Sequence, residues 1–105
     1  MTETQFLLAL AGTKSAYRWQ LEGKSITGVA RNGKTRGQKF TPMTAVCRSS
    51  GLGTYRDNKK GRATAASQLG VTETLAENVM QATKAASNRG NYQVLRGKIR
   101  QVLNV

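Results

Sequence analysis

The sequence predicts an α+β domain: an N-terminal helix, a three-stranded antiparallel meander over about 17–40, and a helical C-terminal half over about 42–48, 61–69, 72–86 and 91–103. Three observations carry that reading. Residues 17–40 hold alternating apolar residues punctuated by two turn signals, Gly23-Lys24 and Asn32-Gly33. Val71, Leu75, Val79, Ala82 and Ala86 recur at three- and four-residue spacing. Leu95, Ile99 and Val102 repeat that pattern near the C-terminus.

Taken in order, Thr2 to Ala11 predicts a short helix. Thr2 and Gln5 have the spacing of a capping box, and Gly12 can end the helix. Phe6, Leu7, Leu8 and Leu10 leave little polar face, so the helix is expected to be well buried.

In the meander, two-residue turns pair Leu21 with Ile26, Trp19 with Gly28 and Tyr17 with Ala30. These share one face, because side chains alternate across a strand. The Tyr17, Trp19, Leu21 and Ile26 face is expected to pack on the helices, with Trp19 covering bare backbone at Gly28. The same rule applied to Asn32-Gly33 sets Arg31 opposite Lys34 and Val29 opposite Arg36, and gathers Arg18, Arg31, Lys34 and Arg36 on the solvent face.

Thr41-Pro42 opens the next helix, with proline at its first position. Residues 49–54 read as a flexible loop, followed by a basic loop containing Lys59, Lys60 and Arg62. Gly70 separates two helices, the second capped by Thr72. After a turn at Asn88–Asn91, the last helix carries Arg89, Gln93, Arg96 and Arg100 on one face.

The 105 residues are enough for one domain with one modest core, and few for a multi-substrate enzyme. Nothing in the sequence has the length of a membrane span or the pattern of a signal peptide, so an intracellular, cytoplasmic protein with no membrane partner is expected. There is no histidine and one cysteine, Cys47, in an apolar stretch. That argues against zinc, any other metal or cofactor, and histidine acid–base chemistry. Glu73 and Glu77 lie four apart on one helix, where surface solvation explains them, so a non-enzymatic protein is expected.

Charge is the dominant feature. Seventeen lysines and arginines against five acids give +12, a self-repulsion that a polyanionic partner relieves. The helical pair at 63–86 has one basic and two acidic residues, whereas residues 14–40 have seven basic and one acidic. The pair therefore reads as scaffold. Nucleic acid is the expected partner, DNA ahead of RNA, contacted through phosphates with low sequence specificity by Arg18, Arg31, Lys34, Arg36, Lys59, Lys60, Arg62, Arg96 and Arg100. No aromatic-rich RNA-binding motif and no G-x-x-G clamp is present. The alternative is a small basic effector or virion accessory protein, such as phages encode, docking on an acidic protein surface, with Leu52 and Tyr55 as an apolar hot spot.

Two motifs bear on these readings. Residues 28–35, GVARNGKT, match G-x-x-x-x-G-K-[ST]. A phosphate loop needs a helix starting at its Lys-Thr, and Gly37 and Pro42 leave no room for one. Ala65-Ala66-Ser67-Gln68-Leu69-Gly70-Val71 followed by Thr72-Glu73-Thr74, with Val79 nine residues after Gly70, resembles the helix-turn-helix of small phage repressors and bacterial regulators. The resemblance implies that 72–86 would be the recognition helix. That helix carries Glu73 and Glu77 and no basic residue before Lys84, an unusual charge for a surface facing phosphates.

Overall fold

A computed structural model describes residues 1–56, 58–84 and 92–105. Helix α1 spans Glu3–Ala11 and runs on into a 3-10 turn, Gly12–Ser15. Strands β1 (Tyr17–Glu22), β2 (Ser25–Ala30) and β3 (Lys39–Phe40) follow, then helices α2 (Pro42–Ser49), α3 (Lys59–Leu69), α4 (Glu73–Thr83) and α5 (Tyr92–Leu103). The expected α+β architecture is present. The expected turn at 88–91, Arg89, Ala86 and Asp57 lie outside the described residues. No helix among the described residues is long and apolar enough to cross a membrane.

The capping chemistry of α1 is as expected. Thr2 Oγ1 accepts from the Gln5 amide at 3.2 Å, and Gln5 Oε1 accepts from the Thr2 amide at 2.8 Å. Its burial is narrower than expected. Phe6 and Leu10 are fully buried, but Leu8 is 68% exposed, because α1 lies at the edge of the bundle against α2 and α5.

Helix α2 begins with Pro42 behind a Thr41 cap. Helix α3 starts at Lys59, two residues before the expected 61, because Asn58 supplies a cap: its Oδ1 accepts from the Gly61 amide at 2.8 Å. Thr72 caps α4 by accepting from the Leu75 amide at 3.0 Å. Helix α4 stops at Thr83 rather than 86, where Lys84 turns extended. The Thr83 hydroxyl bonds back to the Val79 carbonyl at 2.5 Å.

Strands β1 and β2 pair in the expected register, Tyr17 with Ala30, Trp19 with Gly28 and Leu21 with Ile26. Tyr17, Trp19 and Ile26 are buried, but Leu21 is 39% exposed, since it borders an open cleft between the end of the hairpin and α5.

The second hairpin differs from expectation. Val29 faces Lys39 rather than Arg36, and Gly28 faces Phe40. This displacement of three residues, from 36 to 39, is odd, so it exchanges the two faces of the strand. A two-residue Asn-Gly turn would have put Phe40 on the solvent face. In the structure Phe40 is 8% exposed and edge-on to Tyr17, with ring centroids 5.4 Å apart. Burying an aromatic ring outweighs the local preference of Asn32-Gly33. Residues 31–38 become a loop, and β3 shrinks to Lys39–Phe40.

The Trp19 ring lies directly over Gly28, so that a β-carbon added there would stand 2.8 Å from the indole. The indole Nε1 donates to Thr13 Oγ1 at 3.2 Å, and Thr13 Oγ1 donates to the Leu10 carbonyl at 2.7 Å. The tryptophan thus joins the sheet to the end of α1. The core continues through Met43, Val46, Val79, Met80 and Ile99, all essentially inaccessible to solvent.

Two predictions follow from this packing. Gly28→Ala forces Trp19 off its place and lowers stability by about 1–3 kcal/mol, or about 4–8 °C of Tm per kcal/mol in thermal unfolding. Burial pushes the Cys47 thiol up to about 11, opposed by a smaller effect of a backbone hydrogen bond. Its folded pKa exceeds the unfolded value of about 8.5. This contribution to stability is therefore complete below that pH and is lost as pH rises towards 11. A thiol reagent at pH about 8 should label Cys47 only at the rate of unfolding.

Candidate nucleic-acid interface

Three of the predicted cations converge. Arg18 stands on the exposed face of β1, opposite Val29. Arg31 follows the end of β2, its amide donating to the Ala16 carbonyl at 3.0 Å. Loop 31–38 then folds back on the sheet. The Arg36 amide donates to Gly33 at 3.2 Å, the Gln38 amide to Thr35 at 2.8 Å, and the Gly37 amide to Ala30 at 2.9 Å. Gly37 makes this return with φ of 85°, in the left-handed region that a side chain disfavours. The result is an open groove of about 580 Å³ lined by Arg18, Arg31 and Arg36, with Val29, Ala30 and Asn32 between them. Lys34 does not line it, because the displaced register moves it off the sheet to the turn.

Among the described residues, no carboxylate lines this groove. Glu22 pairs with Lys39, and Glu3 with Lys98 at 3.4 Å. Glu73 and Glu77 are exposed on α4. Three like charges around one concave surface reinforce one another's potential, and a groove with protein walls focuses it.

Lys59 and Lys60 are exposed in the first turn of α3, and Arg62 is half-buried on the same helix. None of the three lines the arginine groove. Helices α3 and α4 form the expected pair, with Gly70 closing α3. The face that α4 shows to solvent carries Glu73, Thr74 and Glu77. Leu52 and Tyr55 are half-buried against the core rather than forming an exposed apolar cluster.

Arg96 departs from its predicted role. It is 7% exposed, and its guanidinium donates to the Ala82 carbonyl at 2.7 Å, to the Lys84 carbonyl at 3.5 Å, and to the carbonyl of Lys24 in the β1–β2 turn. The helical spacing sets it with Arg100 on one basic face, open to phosphate or to solvent, but α5 turns that position inward, beside Leu95 and Ile99. Arg96 therefore caps the C-terminus of α4, where the helix dipole favours a cation, and fastens the hairpin turn to the helices. Desolvation on burial lowers its pKa, and the charge of Arg100 acts in the same direction. Arg100 remains exposed, with Nε donating to the Val105 carbonyl at 3.2 Å.

Two cations absent from the predicted set stand beside grooves. Lys24 lines a cleft with Arg96 and Arg100 at the far end of the sheet. Arg48, at the end of α2, lies 5.0 Å from the centre of the Phe40 ring and lines a cavity next to the arginine groove. The Arg48–Phe40 contact depends on the register of β3, which local sequence rules misplace.

Arg96→Met should leave the Ala82 and Lys24 carbonyls without their charged donor and cost about 2–4 kcal/mol in urea unfolding. Arg96→Lys should recover only part of this, since an ammonium cannot span carbonyls on two elements as the planar fork does. No family model, curated protein or solved structure matches the chain.

Proposed function

We propose that the protein is a non-enzymatic nucleic-acid-binding protein that grips the phosphate backbone through the groove of Arg18, Arg31 and Arg36. The observation that carries this reading is the convergence of three exposed guanidinium groups on one groove with no carboxylate in its lining among the described residues. Guanidinium groups suit phosphate because their planar donors match its oxygens in pairs. Convergence of like charges costs stability in the free protein, and binding a polyanion removes that cost. The net charge of +12 draws the ligand in from a distance.

Lys34 and, more distantly, Lys59, Lys60, Arg62 and Arg100 add attraction without shaping the groove. Arg96 serves the fold and is not among the contacts. Binding through phosphates carries little sequence information, so affinity is expected to vary little among random sequences.

Fluorescence anisotropy with random-sequence DNA, offered as single strand and as duplex across a salt series, tests the reading. Three phosphate contacts give a slope of log affinity against log salt of about −2 to −3, and peripheral lysines make it steeper. Arg18→Glu/Arg36→Glu should flatten the slope by about 2 and weaken binding at least about tenfold at low salt. Absence of binding at low salt, or binding by the double variant equal to that of wild type, overturns the proposal.

A further inference from the structure

The arginine groove continues past Asn32. Ala30 and Asn32 also line a neighbouring cavity of about 410 Å³, so the two concavities share a wall. The chemistry changes across that wall. The first is a guanidinium surface. The second has Tyr17 and Leu52 as apolar walls, the carboxamide of Asn32 and the hydroxyls of Thr35 and Ser49 as donors and acceptors, and Arg48 at its side. Arg48 already lies over the Phe40 ring, 5.0 Å from its centre. A guanidinium placed over an aromatic ring offers a planar cationic group against which a second planar group can stack.

We infer that this cavity receives one unpaired nucleobase, and that the nucleic acid is single-stranded where it crosses Ala30 and Asn32. The inference rests on the phosphate-binding reading and adds the strandedness of the ligand and the place of a base. Phosphates lie on Arg18, Arg31 and Arg36. The attached base turns over the Ala30–Asn32 wall and enters beside Arg48, with its polar edge towards Asn32, Thr35 and Ser49. A paired base cannot make this turn without leaving its stack, whereas an unpaired one pays little to do so. The volume lies in the range that encloses small ligands, and the mixture of apolar wall and few polar groups is the usual composition of such sites.

The test compares four oligonucleotides of equal length at one salt concentration: single-stranded DNA, single-stranded RNA, a DNA duplex and an abasic deoxyribose-phosphate strand. The abasic strand has the phosphates of the single strand and none of its bases. Both single strands should bind about tenfold more tightly than the duplex and the abasic strand, the effect of seating one base. Leu52→Trp, which fills the cavity, should bring single-strand affinity down to that of the abasic strand and leave the salt slope unchanged. Ser49→Tyr is a second filling variant at an exposed position and should act alike. Thermal unfolding identifies a variant that has lost its fold, and the other then decides.

Duplex or abasic binding as tight as single-strand binding, or unchanged single-strand affinity in a folded filling variant, overturns the base site and leaves the phosphate reading standing. Failure of all four oligonucleotides to bind overturns both. DNA and RNA differing from each other, with both above the duplex, upholds the site and identifies the preferred sugar.

Discussion

Phe40 lies edge-on against Tyr17 beneath the sheet, and the arrangement of the cationic surface depends on that placement. Because β3 must bring Phe40 to the core face, the chain needs a loop over 31–38 rather than a tight turn. That loop carries Arg36 back beside Arg18 and Arg31 and releases Lys34. It also places Phe40 beneath Arg48, so a second arginine-bearing cavity adjoins the first. A hydrophobic contact inside the protein thus sets the pattern of charge outside it.

The rest of the fold serves the same surface. Trp19 over Gly28 fixes the register of β1 and β2, and its hydrogen bond to Thr13 holds that pair against α1. Register decides whether Arg18 faces water or core, since one residue of slip reverses it. Helices α2 and α4 pack against β2, and Arg18 is exposed on the other face of the sheet. Arg96 ties the hairpin turn at Lys24 to the end of α4.

Much of the fold was legible because its signals are local. The Thr2–Gln5 capping box, Pro42 at the start of α2, Gly70 after α3 and the Gly23-Lys24 turn each act within a few residues, and each is where the sequence puts it. The failures are non-local. Asn32-Gly33 is a strong turn signal overruled by a contact between residues 17 and 40. Arg96 reads as part of a basic face on its own helix, and only the approach of α4 and the β1–β2 turn shows it to be buried. Within the predicted basic set, the sequence found the three arginines of the groove but grouped them with Lys34 by a register that does not form. Arg48 escaped notice because its significance comes from Phe40.

The Arg96 clamp has a further consequence for how the protein responds to ions. Its partners are backbone carbonyls, two of them at the end of α4, rather than a carboxylate on the surface. Buried contacts between a charge and fixed dipoles are little affected by dissolved salt, whereas repulsion among exposed cations is screened by it. Raising ionic strength therefore relaxes the surface without loosening the clamp. On the proposed phosphate-binding reading, folding and ligand capture would respond to salt with opposite sign, and the protein would be at its most stable where its hold on a polyanion is weakest.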